Sequence, residues 1–244
     1  MTLRVVDTLH AAHELAKGGD RVAILNMASP LRPGGGVLSG ATSQEEHLCS
    51  CTTLYPSLQE HFYRLPEIGG IYTPDVLVCR SWGSKCCNLS RKDQFYVDVV
   101  TAAMLRLPDL EGSGDSATYA NGQDREIIVH KIRNVMRMLR RKGINTVVFG
   151  AWGCGAYGNP ISEVARAWQR VLFGSQSGKN SVKEGWEDLQ IVFAIKDRKM
   201  AHKFARAFGH DMTIEDGEED EEDVGDEKDE EEQQDETDEG EDGD

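Results

Sequence analysis

Four short stretches of the chain are apolar without alternation: VAILNM (22–27), VLVCR (76–80), TVVFGA (146–151) and LQIVFAI (189–195). Continuous apolar runs of this length, rich in β-branched residues, predict strands buried on both faces. Between and around them, apolar positions recur at helical spacing and predict helices over 7–17, 43–51, 94–105, 125–142, 161–173 and 199–208. The stretch 125–142 carries Ile127, Ile128, Ile132, Val135, Met136 and Leu139 on one face, and Gly143 supplies its C-terminal stop. Asn159-Pro160 sets a proline where the helix at 161 begins. Strands alternating with helices predict the α/β class and a three-layer α/β/α domain. Two polar stretches, 109–124 (DLEGSGDSATYANGQD) and 174–185 (GSQSGKNSVKEG), read as flexible loops, and no internal repeat is visible.

Composition changes this picture at the C terminus. From Asp211 to Asp244 there are 22 Asp or Glu residues against one Lys, and no aromatic residue. Such a segment lacks the apolar surface to offset its ordering entropy and is predicted to be a disordered acidic tail, leaving residues 1–210 as the folded domain. Removing the tail's net −21 from the whole-chain −15 leaves +6 for residues 1–210, a mildly basic domain that suits an anionic ligand. About 210 residues are enough for one domain with a full core.

Six cysteines, at 49, 51, 79, 86, 87 and 154, show no secreted-type framework, and neither a signal peptide nor a membrane-spanning run is present. This predicts free thiols, an intracellular setting and no membrane partner. His47, Cys49 and Cys51, and the pair Cys86-Cys87, suggest zinc, but neither group has a second pair at finger spacing, so idle thiols are the expectation.

The chemistry concentrates in two glycine loops that follow predicted strands. After 22–27 comes SPLRPGGG, then SQEE opening the helix at 43; after 146–151 comes GCGAYG, opening the helix at 161. A glycine turn at a helix N terminus presents backbone amides and the positive dipole end to phosphate. GCGAYG formally matches G-x-G-x-x-G at Gly153, Gly155 and Gly158, yet only about sixty folded residues follow, too few for a doubly wound dinucleotide domain. A merely tight strand-to-helix turn is the alternative. No GxxxxGK[ST] is present, which argues against triphosphate hydrolysis. Two phosphate-type loops in a basic domain predict a nucleotide-diphosphate ligand. Ser43 and Glu46 also fit a capping box, the plain structural account of that glutamate. Glu45 and Glu46 point about 100° apart on a helix, so they suit divided roles better than opposed attack on one bond. One would accept ribose hydroxyls and the other would move protons, a task helped by a carboxyl pKa raised by burial and a like-charged neighbour.

The string RPGGGVLSGATSQEEHLCSCTTLYPSL (32–58), with YTPDVLVCR (72–80) and GAWGCGAYGNP (150–160), resembles microbial-type poly(ADP-ribose) glycohydrolases of the macrodomain superfamily. The resemblance spans roughly residues 20–170. It implies a macrodomain with a mixed, mostly parallel central sheet, no cofactor and no metal. It also implies hydrolysis of ribose–ribose O-glycosidic bonds, exo-acting from chain ends. On matching positions, Glu46 would be the general acid and base, Glu45 would hold ribose hydroxyls, and Gln44 would support the loop. Gly34, Gly35 and Gly36 would face the distal ribose and diphosphate. Gly153, Gly155, Ala156 and Gly158 would form the second diphosphate loop, Tyr157 would stand near the distal ribose, and Asn26 would contact substrate. The superfamily's N-x-A-N turn reads NMAS here, departing at Ser29. The implied partners are poly(ADP-ribose), ADP-ribose and ADP-ribosylated proteins. The tail adds basic proteins such as histones, and a nuclear or cytoplasmic location. Two further readings stand beside this one: a non-catalytic ADP-ribose reader, for which both glutamates would be superfluous, and a hydrolase of mono-ADP-ribosylated side chains.

Overall fold

The structure, a computed structural model, describes residues 1–83, 85–174 and 184–216. In chain order its elements are β1 (Thr2–Arg4), α1 (Thr8–Ala16), β2 (Val22–Met27), α2 (Gln44–Cys51), α3 (Leu54–Ser57), β3 (Ile71–Val78), β4 (Phe95–Ala102), β5 (Leu110–Glu111), β6 (Thr118–Tyr119), α4 (Gly122–Arg141), β7 (Thr146–Phe149), α5 (Ile161–Phe173), β8 (Gln190–Ala194), α6 (Arg198–Phe208) and β9 (Thr213–Glu215). Seven strands form one sheet in the order β3-β4-β2-β7-β8-β1-β9, and β5 pairs with β6 in a separate hairpin. Within the large sheet only the β3–β4 pairing is antiparallel. The sheet is therefore mixed and mostly parallel, as expected.

Successive strand residues point to opposite faces, and the two cores follow that alternation. Ala23 and Leu25 of β2 join the core made with α4, α5 and α6, where Ile132, Trp168 and Phe204 are buried. Val22 and Ile24 face the other way, into the core shared with α1, α2 and α3, where Leu9, Leu48 and Leu54 are buried. Each fully buried side chain of this size contributes about 1.5–3 kcal/mol of transfer free energy, so a sheet with two covered faces rewards the continuous apolar runs in the sequence. No described helix is long and apolar enough to cross a membrane.

This layering positions the site. From β2 the chain passes to α2 on one face; from the adjacent β7 it passes to α5 on the other. Neighbouring parallel strands whose connections diverge open a crevice at their carboxyl ends. Both glycine loops lie on those two connections.

The structure departs from the sequence expectations in four places. The helix expected at 94–105 is β4, because Val97, Val99, Val100 and Thr101 are β-branched and lie between β2 and β3 in the sheet. The strand expected at 76–80 starts earlier, at Ile71, and carries Pro74 at a register shift between Thr73 and Val76. β3 is an edge strand of the large sheet, where a proline at an irregularity is tolerated. The expected loop 109–124 contains the β5–β6 hairpin and the first turn of α4, with Tyr119 buried. Finally, β9 pairs in parallel with β1, and Arg4 meets Glu215 at 2.9 Å, so the ordered domain extends past residue 210. The rest of the acidic tail and most of the expected loop 174–185 lie outside the described residues.

Candidate active site

Gln44, the first residue of α2, fixes this helix to the end of β2. Its side-chain oxygen accepts a hydrogen bond from the Met27 amide at 2.9 Å, and its nitrogen donates to the Leu25 carbonyl at 2.8 Å. A primary amide supplies the donor and acceptor that this stretch of backbone needs at once. The next two residues then project from a fixed first turn.

Glu45 turns toward the β2 loop. It accepts from the Ser29 amide at 2.7 Å and from Asn26 Nδ2 at 3.4 Å. Glu46 turns toward the glycine triplet, where the Gly36 amide donates to Oε1 at 2.7 Å and the Ser43 hydroxyl donates to Oε2. The expected capping box does not form: the Ser43 side chain makes no bond to a helix amide, because it is engaged with the Glu46 carboxylate. Both carboxylates are buried.

The glycine triplet is explained by the same geometry. A Cβ on Gly35 would lie 2.5 Å from Glu46 Oε1 and 2.7 Å from Glu45 Oε2, closer than real Cβ atoms approach anything. Its φ of +55° also favours glycine. The loop thus runs in contact with both carboxylates, and only a residue without a side chain fits between them. A cleft of about 500 Å³ opens beside this loop, lined by residues that include Arg32, Gly35, Leu38, Tyr55 and Glu60.

The second loop, 150–160, follows β7. Asn159 holds it from below: Nδ2 donates to the Leu105 and Gly153 carbonyls at 2.7 and 3.0 Å, and Oδ1 accepts from the Tyr119 hydroxyl at 2.8 Å. Gly155 and Ala156 are exposed at its tip, and a Cβ at Gly155 would meet nothing within 4 Å. Tyr157 places its hydroxyl beside the Ser29 side chain and within the field of both glutamates, joining the two loops.

The two carboxyls differ in acidity. Burial is the main cause that lifts the Glu45 pKa to about 7; the hydrogen bonds from Ser29 and Asn26 oppose it, and the Glu46 charge adds to it. Burial also pushes Glu46 upward, but the hydrogen bonds from Ser43 and Gly36 outweigh it and hold this carboxyl below its usual range. The raised pKa expected for the proton-moving glutamate thus belongs, in the free protein, to Glu45.

Glu45, Glu46, Gln44, the three glycines and Tyr157 lie together at this place in the fold. Asn26 is fully buried beneath Glu45 and donates to it at 3.4 Å, so it positions that carboxylate, while its Oδ1 has no hydrogen-bond partner among the described residues. Ser29, where the N-x-A-N pattern breaks, contributes its backbone amide to Glu45. Tyr63 went unnoticed in the sequence: its buried hydroxyl lies in the field of Glu45 and has no hydrogen-bond partner among the described residues. No spacing rule connects position 63 to position 45, so only the fold shows it. On α4, Arg133 and Arg137 pair with Glu184 at 2.8 and 2.7 Å.

The family model described as microbial-type PARG (poly(ADP-ribose) glycohydrolase), catalytic domain, matches residues 1–81, which include β2, the glycine triplet and Gln44–Glu46. Among curated proteins no match is found. The fold is similar to poly(ADP-ribose) glycohydrolase from Thermomonospora curvata bound to the inhibitor ADP-HPD, at 27% identity and a TM-score of 0.67, over 85% of this chain and 78% of that one. It is also similar to poly(ADP-ribose) glycohydrolase from Deinococcus radiodurans in complex with ADP-ribose, at 25% identity and a TM-score of 0.64, over 85% and 81% of the two chains. The segment that houses the paired glutamates thus matches the microbial-type poly(ADP-ribose) glycohydrolase model, and the fold is similar to that of two such enzymes over most of the chain.

Proposed function

We propose that the chain hydrolyses the ribose–ribose O-glycosidic bond of poly(ADP-ribose), releasing ADP-ribose from chain ends. The observation that carries this reading is the pair of buried carboxylates fixed against Gly35, between two glycine loops at the carboxyl ends of adjacent parallel strands. The loops' amides and the domain's basic balance suit the diphosphate. The cleft beside Gly35 leaves room for more substrate than a single ribose.

Glu46 donates its proton to the departing ribose oxygen as the C1–O bond breaks and the sugar takes on oxocarbenium character. The resulting carboxylate then removes a proton from water as the hydroxyl oxygen bonds to C1. Glu46 ends protonated as it began, and one water is consumed. Glu45, held by Ser29 and Asn26, accepts hydrogen bonds from ribose hydroxyls. In the free protein the pair carries at most one proton near neutral pH, and Glu45 holds it. A bound diphosphate displaces water and adds negative charge, which moves both carboxyls upward, the direction general-acid work by Glu46 requires. The basic limb of kcat is accordingly expected at higher pH than that of kcat/KM, since the former reports the bound state.

Incubation with poly(ADP-ribose) tests this reading. Release of monomeric ADP-ribose from the first time points supports exo action, and oligomers appearing first would contradict it. Tight ADP-ribose binding with no release would leave a reader in place of an enzyme. ADP-ribosylated proteins are the natural carriers of the polymer. The composition of the acidic segment supports docking on basic proteins such as histones in a nuclear or cytoplasmic setting.

A further inference from the structure

One turn beyond the glutamates, α2 carries a second cluster. We propose that His47, Cys51 and Cys86 form a binding site for a thiophilic divalent cation of the zinc class, tying α2 to the loop that follows β3. One donor atom from each of the three lies within 4.8 Å of the other two, and this is the only such group of His, Cys, Asp and Glu among the described residues. The sequence separates Cys86 from His47 and Cys51 by more than thirty positions, which is why spacing alone predicts idle thiols there.

The two separations measured from Cys51 lie close to those around a tetrahedral ion. Metal–sulfur bonds of about 2.3 Å and metal–nitrogen bonds of about 2.0–2.1 Å set S···S and S···N separations of roughly 3.5–3.8 Å. Cys51 Sγ lies 3.5 Å from Cys86 Sγ and 3.9 Å from either ring nitrogen of His47. His47 Nε2 faces Asp7 Oδ2 at 3.6 Å. A metal-bound histidine directs its free N–H at such a carboxylate, which leaves Nδ1 for the ion. Asp7 is itself fixed as the N-cap of α1, accepting from the Leu9 amide at 2.7 Å. Cys51 is fully buried, while His47 and Cys86 are half-buried, so the ion has an entry path. Cys87 is exposed and Cys49 packs into the core, and neither belongs to the cluster.

Binding releases two thiol protons and leaves two thiolates and a neutral imidazole on the dication, an uncharged site with water as its fourth ligand. A disulfide is the rival use of the pair, but it needs the sulfurs at about 2.05 Å and gives His47 no part.

The test uses the full chain, reduced and metal-free, titrated with Co²⁺ and Zn²⁺. The expected result is one equivalent of Co²⁺ with a thiolate charge-transfer band, displaced by Zn²⁺; carboxylates of the acidic segment give no such band. Cys86→Ala and His47→Gln should lose or markedly weaken the band, Asp7→Asn should weaken binding roughly 10–100-fold, and Cys87→Ala should change nothing. Cys86 and His47 are only half-buried, so these variants test the site without emptying a core position. No thiolate band in the reduced wild type, or an undiminished one in Cys86→Ala, would overturn the proposal. A Cys51–Cys86 disulfide in a protein whose reduced form takes up no ion would overturn it in favour of a redox pair.

Discussion

At the scale of single residues, Gly35 is the most constrained position of the glycine triplet. Its missing side chain is required twice, by the positive φ and by the two carboxylate oxygens within 2.7 Å of where a Cβ would stand. Gly155 lacks both constraints, with open space around it and no positive φ. Gly35→Ala should therefore abolish polymer hydrolysis and lower the unfolding temperature, while Gly155→Ala should leave stability within about 0.5 kcal/mol of wild type. Equal effects from the two would contradict the contact described for Gly35.

Glu45 makes a separate prediction about pH. Its folded pKa of about 7 lies above the ordinary value of 4.5. The folded state therefore binds this proton more tightly, and the associated stability is full below about 4.5 and lost as pH rises through 7. A difference of that size corresponds to about 3 kcal/mol. Glu45→Gln removes the cost of burying the charge, so its stability relative to wild type should rise between pH 5 and pH 8.5 in denaturant melts. A constant difference across that range would show that Glu45 is not buried as described.

At the scale of elements, α2 carries both glutamates and Gln44 fixes its place. Gln44→Glu removes the donor facing the Leu25 carbonyl and sets a carboxylate against it, a change expected to cost about 1–3 kcal/mol. Because the helix start shifts with it, polymer turnover should fall further than stability alone explains, as activity measured well below the melting temperature would show. Unchanged turnover would mean that α2 is fixed by its other contacts.

Much of this architecture was legible in the chain. The span 22–27 is β2 and 161–173 is α5, residue for residue. The glycine triplet and QEE announced the site because contact chemistry and local spacing coincide there. The rest was not legible because its cause is long-range. The stretch 94–105 has apolar residues compatible with either period, and only its place between β2 and β3 makes it a strand. β1 and β9 are three residues each and stabilise one another across the whole chain length. Ser43 looked like a helix cap, but the Glu46 carboxylate took its hydroxyl.

At the scale of the molecule, the boundary between domain and tail has a physical consequence. A chain ending at residue 210 loses β9 and the Arg4–Glu215 pair, leaving β1 as an unpaired edge. It should melt below a chain ending at 216, whereas removing only 217–244 should leave the melt near that of the full chain. Polymer affinity at low salt compares the tail's role directly. An increase on deleting 217–244 would show that the acidic segment competes for the basic domain, and no change would leave it free for other partners.

Glu46 is proposed to move the proton in glycosidic cleavage. This role is tested most directly by single-turnover release of ADP-ribose from the polymer by wild type and by Glu46→Gln, with ADP-ribose affinity measured for both. Release is expected to fall by at least two orders of magnitude with affinity retained. Release by Glu46→Gln at the wild-type rate would contradict it.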